Sequence, residues 1–301
     1  MTAHLLDGKA VAADMRAEIK THTAELTAKG IRPGLGVILV GDDPASRSYV
    51  TAKEKACEEA GILSREIRLP ATASKAEILT EVNQLNSAED IHGILVQLPL
   101  PDSSIEEEVL NTILPEKDVD GFHPVSVGKM MLGLPTFLPC TPHGILHLLK
   151  RSGVECKGKH VVVVGRSNIV GRPLANLLSL KTDLGNATVT LCHTGTPDIG
   201  KFTREADIVI AAVGRPEVIT ADMVREGAVV VDVGVNRVED ASKKRGYRLV
   251  GDCAFEPMLE KVSAITPVPG GVGPMTITML LYNTLESAQK VLNSNGDAIH
   301  S

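Results

Sequence analysis

The sequence predicts an α/β protein of two domains, each built on a parallel sheet. Three observations carry this. The chain has 301 residues, and a single core usually stops growing near roughly 250. Short, continuously apolar segments alternate with amphipathic ones along most of its length, as strands covered on both faces by helices do. The alternation breaks once, over residues 115–141, where Pro115, Pro124, Pro135 and Pro139 fall among Gly121, Gly128 and Gly133, with Pro142 just beyond. This stretch reads as the junction between domains.

The elements follow in order. Residues 9–28 form an amphipathic helix ended by Gly30, and LGVILV (35–40) is a buried strand. A helix over 46–60 stops at Gly61, REIRL (65–69) is a strand, and Ser74 opens a helix over 74–87. HGILVQ (92–97) is a strand and 104–114 a helix. Beyond the junction, a helix over about 142–152 leads into a second α/β set: KHVVVVG (159–165), a helix from 169, ATVTLC (187–192), DIVIAAVG (207–214) and GAVVVDVG (227–234). A Gly/Pro loop then precedes a final helix, about 275–292. The charge run Lys243-Lys244-Arg245 reads as a solvated loop between strands.

Composition excludes several classes of function. The net charge is -6, and there is no Trp, with 3 Tyr and 4 Phe. Neither a nucleic-acid stacking platform nor a basic surface for nucleic acid or anionic lipid is expected. No apolar run approaches the roughly 20 residues of a membrane span, and MTAHLLDGKAV is neither a signal nor a transit segment. Cys57, Cys140, Cys156, Cys192 and Cys253 are scattered without a CxxC pair, which fits a reducing compartment, the cytoplasm.

VVVVGRSNIVGRP (161–173) runs from a strand through Gly165 and a short turn to Gly171 and a helix. Glycine lets a pyrophosphate approach the backbone, and a helix N-terminus offers N–H groups and a positive dipole end. This is a dinucleotide-binding turn in the proper βα setting, although its glycines are six apart rather than in strict GxGxxG spacing. An NAD site places an acid at the end of the next strand for the ribose 2′-hydroxyl. Here that strand ends Leu191-Cys192-His193-Thr194. With no acid, and with Arg166 in the turn, the site suits a 2′-phosphate, so NADP is expected over NAD.

Ser46, Tyr49 and Lys53 recur on one helical face, an arrangement that by spacing alone is more often a solvated face than a site. ILVQLPLP (94–101) ends a buried strand at Gln97 and Leu98, where parallel sheets bind ligands. EKDVDGF (116–122) sets Asp118 and Asp120 in the junction loop, and TPVPGGVGP (266–274), with Pro269, Gly270 and Gly271, reads as a stiff, exposed backbone able to lie against a flat ligand. His143 and His147 have i, i+4 spacing but no third ligand, so no metal is expected. Cys192 reads as a packing residue rather than a reactive thiol.

Together, YVTAKEKACEEAGI, GILVQLPLP, PEKDVDGFHPVSVGKM, PCTPHGILHLL, VVGRSNIVGRP, DVGVNR and ITPVPGGVGPMTITMLLYNT resemble the bifunctional methylenetetrahydrofolate dehydrogenase/cyclohydrolase family along essentially the whole chain. The resemblance implies a catalytic, folate-binding domain over 1–122 and a Rossmann-like NADP domain over 123–274, with the active-site cleft between them. A C-terminal helix of about 275–301 would pack back on the first domain. It implies Lys53 as the catalytic lysine, Tyr49 stacked on folate, Gln97 bonded to the lysine, and Asp120 rather than Asp118 holding the pterin. Leu98, Pro269, Gly270 and Gly271 complete the substrate contacts. The implied cofactor set is Gly165, Arg166, Ser167, Ile169, Val170, Gly171, His193, Thr194, Val213, Gly214 and Val235. Tetrahydrofolate derivatives as partners and a homodimer follow from the same resemblance.

The expected chemistry divides in two. Hydride loss from the methylene carbon needs placement against the nicotinamide more than an acid or base. Hydrolysis of the methenyl product needs proton movement, which Lys53 can provide if its pKa is lowered. A monofunctional dehydrogenase, a shikimate-dehydrogenase-like oxidoreductase and a non-catalytic NADP sensor are the other readings.

Overall fold

The computed structural model describes residues 2–243 and 246–297. Lys244 and Arg245 of the charge run, and residues 298–301 of the last expected helix, lie outside them. The elements run β1 (His4–Leu5), α1 (Gly8–Ala28), β2 (Gly34–Val40), α2 (Pro44–Ala60), β3 (Leu63–Leu69), α3 (Lys75–Ser87), β4 (Gly93–Val96), α4 (Glu106–Thr112), α5 (Pro124–Met131) and α6 (Cys140–Arg151). There follow β5 (His160–Val164), α7 (Gly171–Ser179), β6 (Thr188–Cys192), α8 (Ile199–Thr203), β7 (Ile208–Ala211), β8 (Val229–Asp232), β9 (Asn236–Glu239), β10 (Tyr247–Val250), α9 (Phe255–Met258), β11 (Ala264–Ile265) and α10 (Val272–Asp297). Two short 3-10 turns, Ser103–Ile105 and Ala221–Met223, interrupt the connections.

The chain divides into two compact units. One comprises Ala13–Cys140 with the chain from Ile277 onward; the other comprises the chain up to Ala12 with Thr141–Thr276. The first holds a parallel sheet of order β3-β2-β4. Every residue of β2 and β4 is buried, which explains their unbroken apolar sequence. Against one face pack Ile78, Val82 and Leu85 of α3 and Val109 of α4. Ser74 opens α3 with a reciprocal capping box to Glu77.

The junction stretch also belongs to this unit, and it contains a helix, α5, that its prolines conceal. Pro124 stands in the first turn, where the missing N–H costs nothing. His123 caps that turn, its Nδ1 accepting from the Val125 N–H at 3.1 Å.

The second unit carries a six-stranded parallel sheet of order β1-β11-β8-β7-β5-β6 and an antiparallel ribbon of β9 and β10. Buried Val162, Val164, Val209 and Val230 lie in its core. The chain leaves β5 to one side for β6 and returns on the other for β7, so the sheet reverses direction of growth at β5. Ligands of open α/β sheets bind at such a reversal, outside the carboxyl ends of the strands.

Candidate active site

In the first unit, α2 and the end of β4 bring two predicted side chains into contact. Lys53 Nζ donates to Gln97 Oε1 at 2.9 Å. The amide is itself oriented, because Gln97 Nε2 donates to the Leu98 carbonyl at 2.7 Å. Tyr49 stands one helical turn before Lys53 and is 50% exposed, while Ser46, a turn earlier, is buried. The shared face is therefore not a uniformly solvated one. Ser46 is buried at one end, Lys53 is partly buried at the other, and Tyr49 between them presents an open phenol ring.

Asp118 and Asp120 separate in role. Asp118 is buried and committed to the backbone: its Oδ1 accepts from Phe122 N–H at 3.2 Å and its Oδ2 from His123 N–H at 2.9 Å. It shapes the loop, in keeping with the choice of Asp120 rather than Asp118 as the site acid. Asp120 interacts electrostatically with Lys53 and by hydrogen bond with Cys140. Burial lifts its carboxyl to about 6, against the opposing pull of Lys53. Burial likewise lowers the Lys53 ammonium from its ordinary range, with Asp120 acting in the other direction. A lysine shifted this way, beside a neutral amide and a single acid, has the electrostatics of a proton carrier.

Asn283 of α10 is a component that sequence reasoning missed. It is 1% exposed, and its Nδ2 donates to the carbonyls of Val119 at 2.8 Å and Leu138 at 3.0 Å. It thereby fixes the backbone on which Asp120 stands. Its position inside an apolar helix of sequence MLLYNTL carries no signal of this. A cavity of about 1130 Å³ opens at the amino ends of these strands, lined among others by Arg32, His92 and Lys117, and holds none of the predicted residues.

In the second unit, the turn after β5 is as close as the sequence suggests. A Cβ on Gly165 would collide with the Ala212 carbonyl oxygen, and one on Gly171 with that of Gly165. The helix N-terminus differs from expectation. Its Val170 and Gly171 N–H groups are not free, because Ser167 Oγ accepts from them at 3.1 and 3.4 Å. The groups left to meet an anion are those of the exposed residues Arg166–Ile169, the Arg166 guanidinium among them. This donor set fits a dinucleotide phosphate.

Pairing of Val164 with Cys192 on one side and Ala211 on the other, and of Ala211 with Asp232, sets four strand ends in line. Arg166, His193, Thr194, Val213, Gly214 and Val235 all follow those ends. Thr194 and Gly214 are exposed and Val235 is 49% exposed. His193 Nδ1 accepts from Gly195 N–H at 3.0 Å, which orients its ring.

The segment 266–274 is less open than its composition implies. Pro269 is exposed, but Gly270 and Gly271 are buried, where Lys9 N–H donates to the Gly270 carbonyl at 3.1 Å. His143 and His147 meet through their Nε2 atoms at 3.2 Å. Burial pushes His143 down to about 3, and among the described residues no group of three or more His, Cys, Asp or Glu side chains is arranged to hold a metal. Cys192 is buried in the sheet core.

Residues 6–120 match the tetrahydrofolate dehydrogenase/cyclohydrolase catalytic domain, and residues 139–292 match the NAD(P)-binding domain of the same family. The bifunctional protein FolD of Geotalea uraniireducens is 56% identical over 288 residues, 96% of this chain and 99% of that protein. The crystal structure of the bifunctional methylenetetrahydrofolate dehydrogenase/cyclohydrolase FolD from Campylobacter jejuni is 50% identical, with a TM-score of 0.90 over 96% of this chain and 99% of that one. The Trypanosoma brucei enzyme, complexed with NADP cofactor and inhibitor, is 42% identical, with a TM-score of 0.91 over 97% and 99%.

Proposed function

Because the chain belongs to the tetrahydrofolate dehydrogenase/cyclohydrolase family, we propose that Lys53, with Gln97 and Asp120, performs its hydrolytic step and that the aligned strand ends after β5, β6, β7 and β8 carry its cofactor. The enzyme oxidises 5,10-methylenetetrahydrofolate to the methenyl cation with NADP and hydrolyses that cation to 10-formyltetrahydrofolate. Family membership displaces the shikimate-type reading. The observation that carries the assignment of residues is the Lys53–Gln97 bond beside Asp120.

NADP accepts the hydride, and the folate nitrogens delocalise the resulting charge, so this step asks the chain for placement. Tyr49 offers an open ring for the folate to stack on, and Asp120 accepts hydrogen bonds from pterin N–H groups. Leu98, Pro269, Gly270 and Gly271 are substrate contacts by family resemblance. Hydrolysis asks for protons. Neutral Lys53 Nζ takes a proton from water as its oxygen bonds to the methenyl carbon. The ammonium then returns that proton to folate N5 as the carbon–N5 bond breaks, while the remaining hydroxyl proton of the adduct passes to solvent and the C–O bond becomes the formyl carbonyl on N10. Gln97 Oε1 holds Nζ in place through both protonation states without adding charge. At the nucleotide site, Gly165, Ser167, Ile169, Val170 and Gly171 shape the phosphate turn. Arg166, with Thr194 and His193, faces the 2′-phosphate, while Val213, Gly214 and Val235 line the nicotinamide end.

A cytoplasmic homodimer completes the reading. The cytoplasm is supported by five cysteines that are all buried and free, and the dimer by family resemblance. Among the described residues no helix is long and apolar enough to cross a membrane, and the net charge of -6 disfavours nucleic acid.

The test follows purified protein with methylenetetrahydrofolate and either NADP or NAD, recording reduced nucleotide and methenyl absorbance together. NADPH formation without methenyl accumulation is expected. Methenyl accumulating to its spontaneous hydrolysis rate would leave a dehydrogenase alone. No reduction with either nucleotide would overturn the reading.

A further inference from the structure

The second unit contains a charged construction that neither chemical step uses. Asp232, at the end of β8, and Asp252, just after β10, are 2% and 0% exposed. Asp252 Oδ2 accepts from the N–H groups of Val213 at 2.6 Å and Gly214 at 2.9 Å. Its Oδ1 accepts from Arg215 N–H at 3.1 Å and from Asn236 Nδ2 at 2.9 Å. Asp232 Oδ1 accepts from the N–H groups of Gly234 at 3.0 Å and Asp252 at 2.8 Å, and its Oδ2 from Cys253 N–H at 2.8 Å.

The two acids interlock. A Cβ on Gly234 would overlap Asp252 Oδ1, and a Cβ on Gly251 would overlap Asp232 Oδ2. Each carboxylate therefore occupies the space left by a glycine adjoining the other acid's segment. Three successive N–H groups converging on one anion form a nest, a motif that elsewhere receives phosphate. Here the anion is the protein's own, so Val213, Gly214 and Arg215 keep no backbone donor for a nucleotide phosphate. That work falls to the Arg166–Ile169 turn. Residues 214–217 are otherwise exposed, and Asp252 is what ties their first N–H groups to the buried sheet.

We propose that Asp252 is the positioning residue of the cofactor edge: its carboxylate holds Val213 and Gly214, and, through Asn236, the neighbouring Val235, in the arrangement that receives the nicotinamide end of NADP. The proposal rests on the assignment of Val213, Gly214 and Val235 to the cofactor. It differs from a purely structural role in predicting loss of one activity and not the other, because hydrolysis of supplied methenyltetrahydrofolate requires no nucleotide.

Asp252→Asn places an N–H donor where three N–H groups already converge. It is expected to raise the Kd for NADP, measured by titration calorimetry, by about tenfold or more, the penalty of a misplaced binding edge. Hydrolysis of supplied methenyltetrahydrofolate should stay within about twofold of native. An unchanged Kd for NADP in a variant that still hydrolyses would overturn the proposal. If Asp252→Asn does not fold, Asn236→Ala decides. It removes one donor to the same carboxylate and should raise the Kd about threefold, roughly the worth of one hydrogen bond, and an unchanged Kd again overturns the clamp. Val235→Arg separates the two layers of inference. If it weakens NADP and the clamp variants do not, the clamp fails and the cofactor assignment stands. If neither changes NADP affinity, the assignment itself fails.

Discussion

Replacing Gln97 by glutamate tests the proton-carrier role of Lys53 with almost no change of shape. The partner atom stays near 2.9 Å from Lys53 Nζ but acquires a charge. A carboxylate at about 4 Å favours an ammonium by roughly 4 kcal/mol at an effective dielectric constant of about 20. That corresponds to a ceiling of about 3 pKa units. Both side chains are only half-buried, so solvent screening reduces this to about 1–2 units. The sign is fixed. Burial now holds Lys53 below its ordinary range, and Gln97→Glu moves it back up. The neutral amine available at pH 7 then falls about 10- to 100-fold, and methenyl hydrolysis with it. The alkaline rise of the hydrolysis profile should move to higher pH by the same 1–2 units, roughly. Hydride transfer, which needs no base, should change by less than about threefold. The assay is stopped-flow decay of methenyl absorbance across pH, beside NADPH formation on the same preparation. Native-rate hydrolysis with an unshifted profile would refute the assignment of Lys53 as the proton carrier.

Other outcomes follow from the same geometry. Burial pushes the Asp120 carboxyl up to about 6, so the ionised form proposed to bind folate is lost as pH falls through that value. Folate KM should rise below pH 6, and in Asp120→Asn it should be high and flat across the same range. Arg166→Ala removes the guanidinium proposed to face the 2′-phosphate. Charge-assisted bonds contribute about 1.5–3 kcal/mol, so kcat/KM with NADP should drop roughly 10- to 100-fold while that with NAD holds; an equal loss with both nucleotides would contradict the 2′-phosphate role. Gly171→Ala forces a methyl into the Gly165 carbonyl. It should lower stability by about 1–3 kcal/mol and raise KM for NADP, visible in thermal melts with and without the nucleotide, whose added stabilisation should shrink.

Much of this was legible in the sequence, for reasons that can be named. Fully buried strands such as β2 and β5 leave unbroken apolar runs, and α3 announces its start through Ser74 and Glu77. The two glycines of the phosphate turn are dictated by contacts with neighbouring carbonyls, so their spacing reports a real constraint. What was not legible depends on long-range partners. Helix α5 hides behind a proline, Pro124, tolerated in its first turn. Strands β1 and β11 have two residues each and exist only because they pair with each other and with β8. Asp118 and Asp120 are two residues apart and chemically identical; family resemblance alone told them apart in the sequence, and what the sequence hid is that Asp118 spends its oxygens on the Phe122 and His123 N–H groups. Asn283 reaches Val119 across 164 residues of sequence. Ser167 quenches donors that the turn motif suggests are free. Gly270 and Gly271 are buried where Pro/Gly composition suggested exposure.

The most direct test is Lys53→Met, with both activities measured on one preparation. Methionine keeps the length and packing of the side chain and removes its only proton-carrying group. Loss of general acid–base catalysis should lower methenyl hydrolysis by about 100-fold or more, towards the spontaneous rate, while NADPH still forms and methenyltetrahydrofolate accumulates. Hydrolysis persisting at the native rate in this variant would contradict the account, and the proton carrier would have to be sought at another residue.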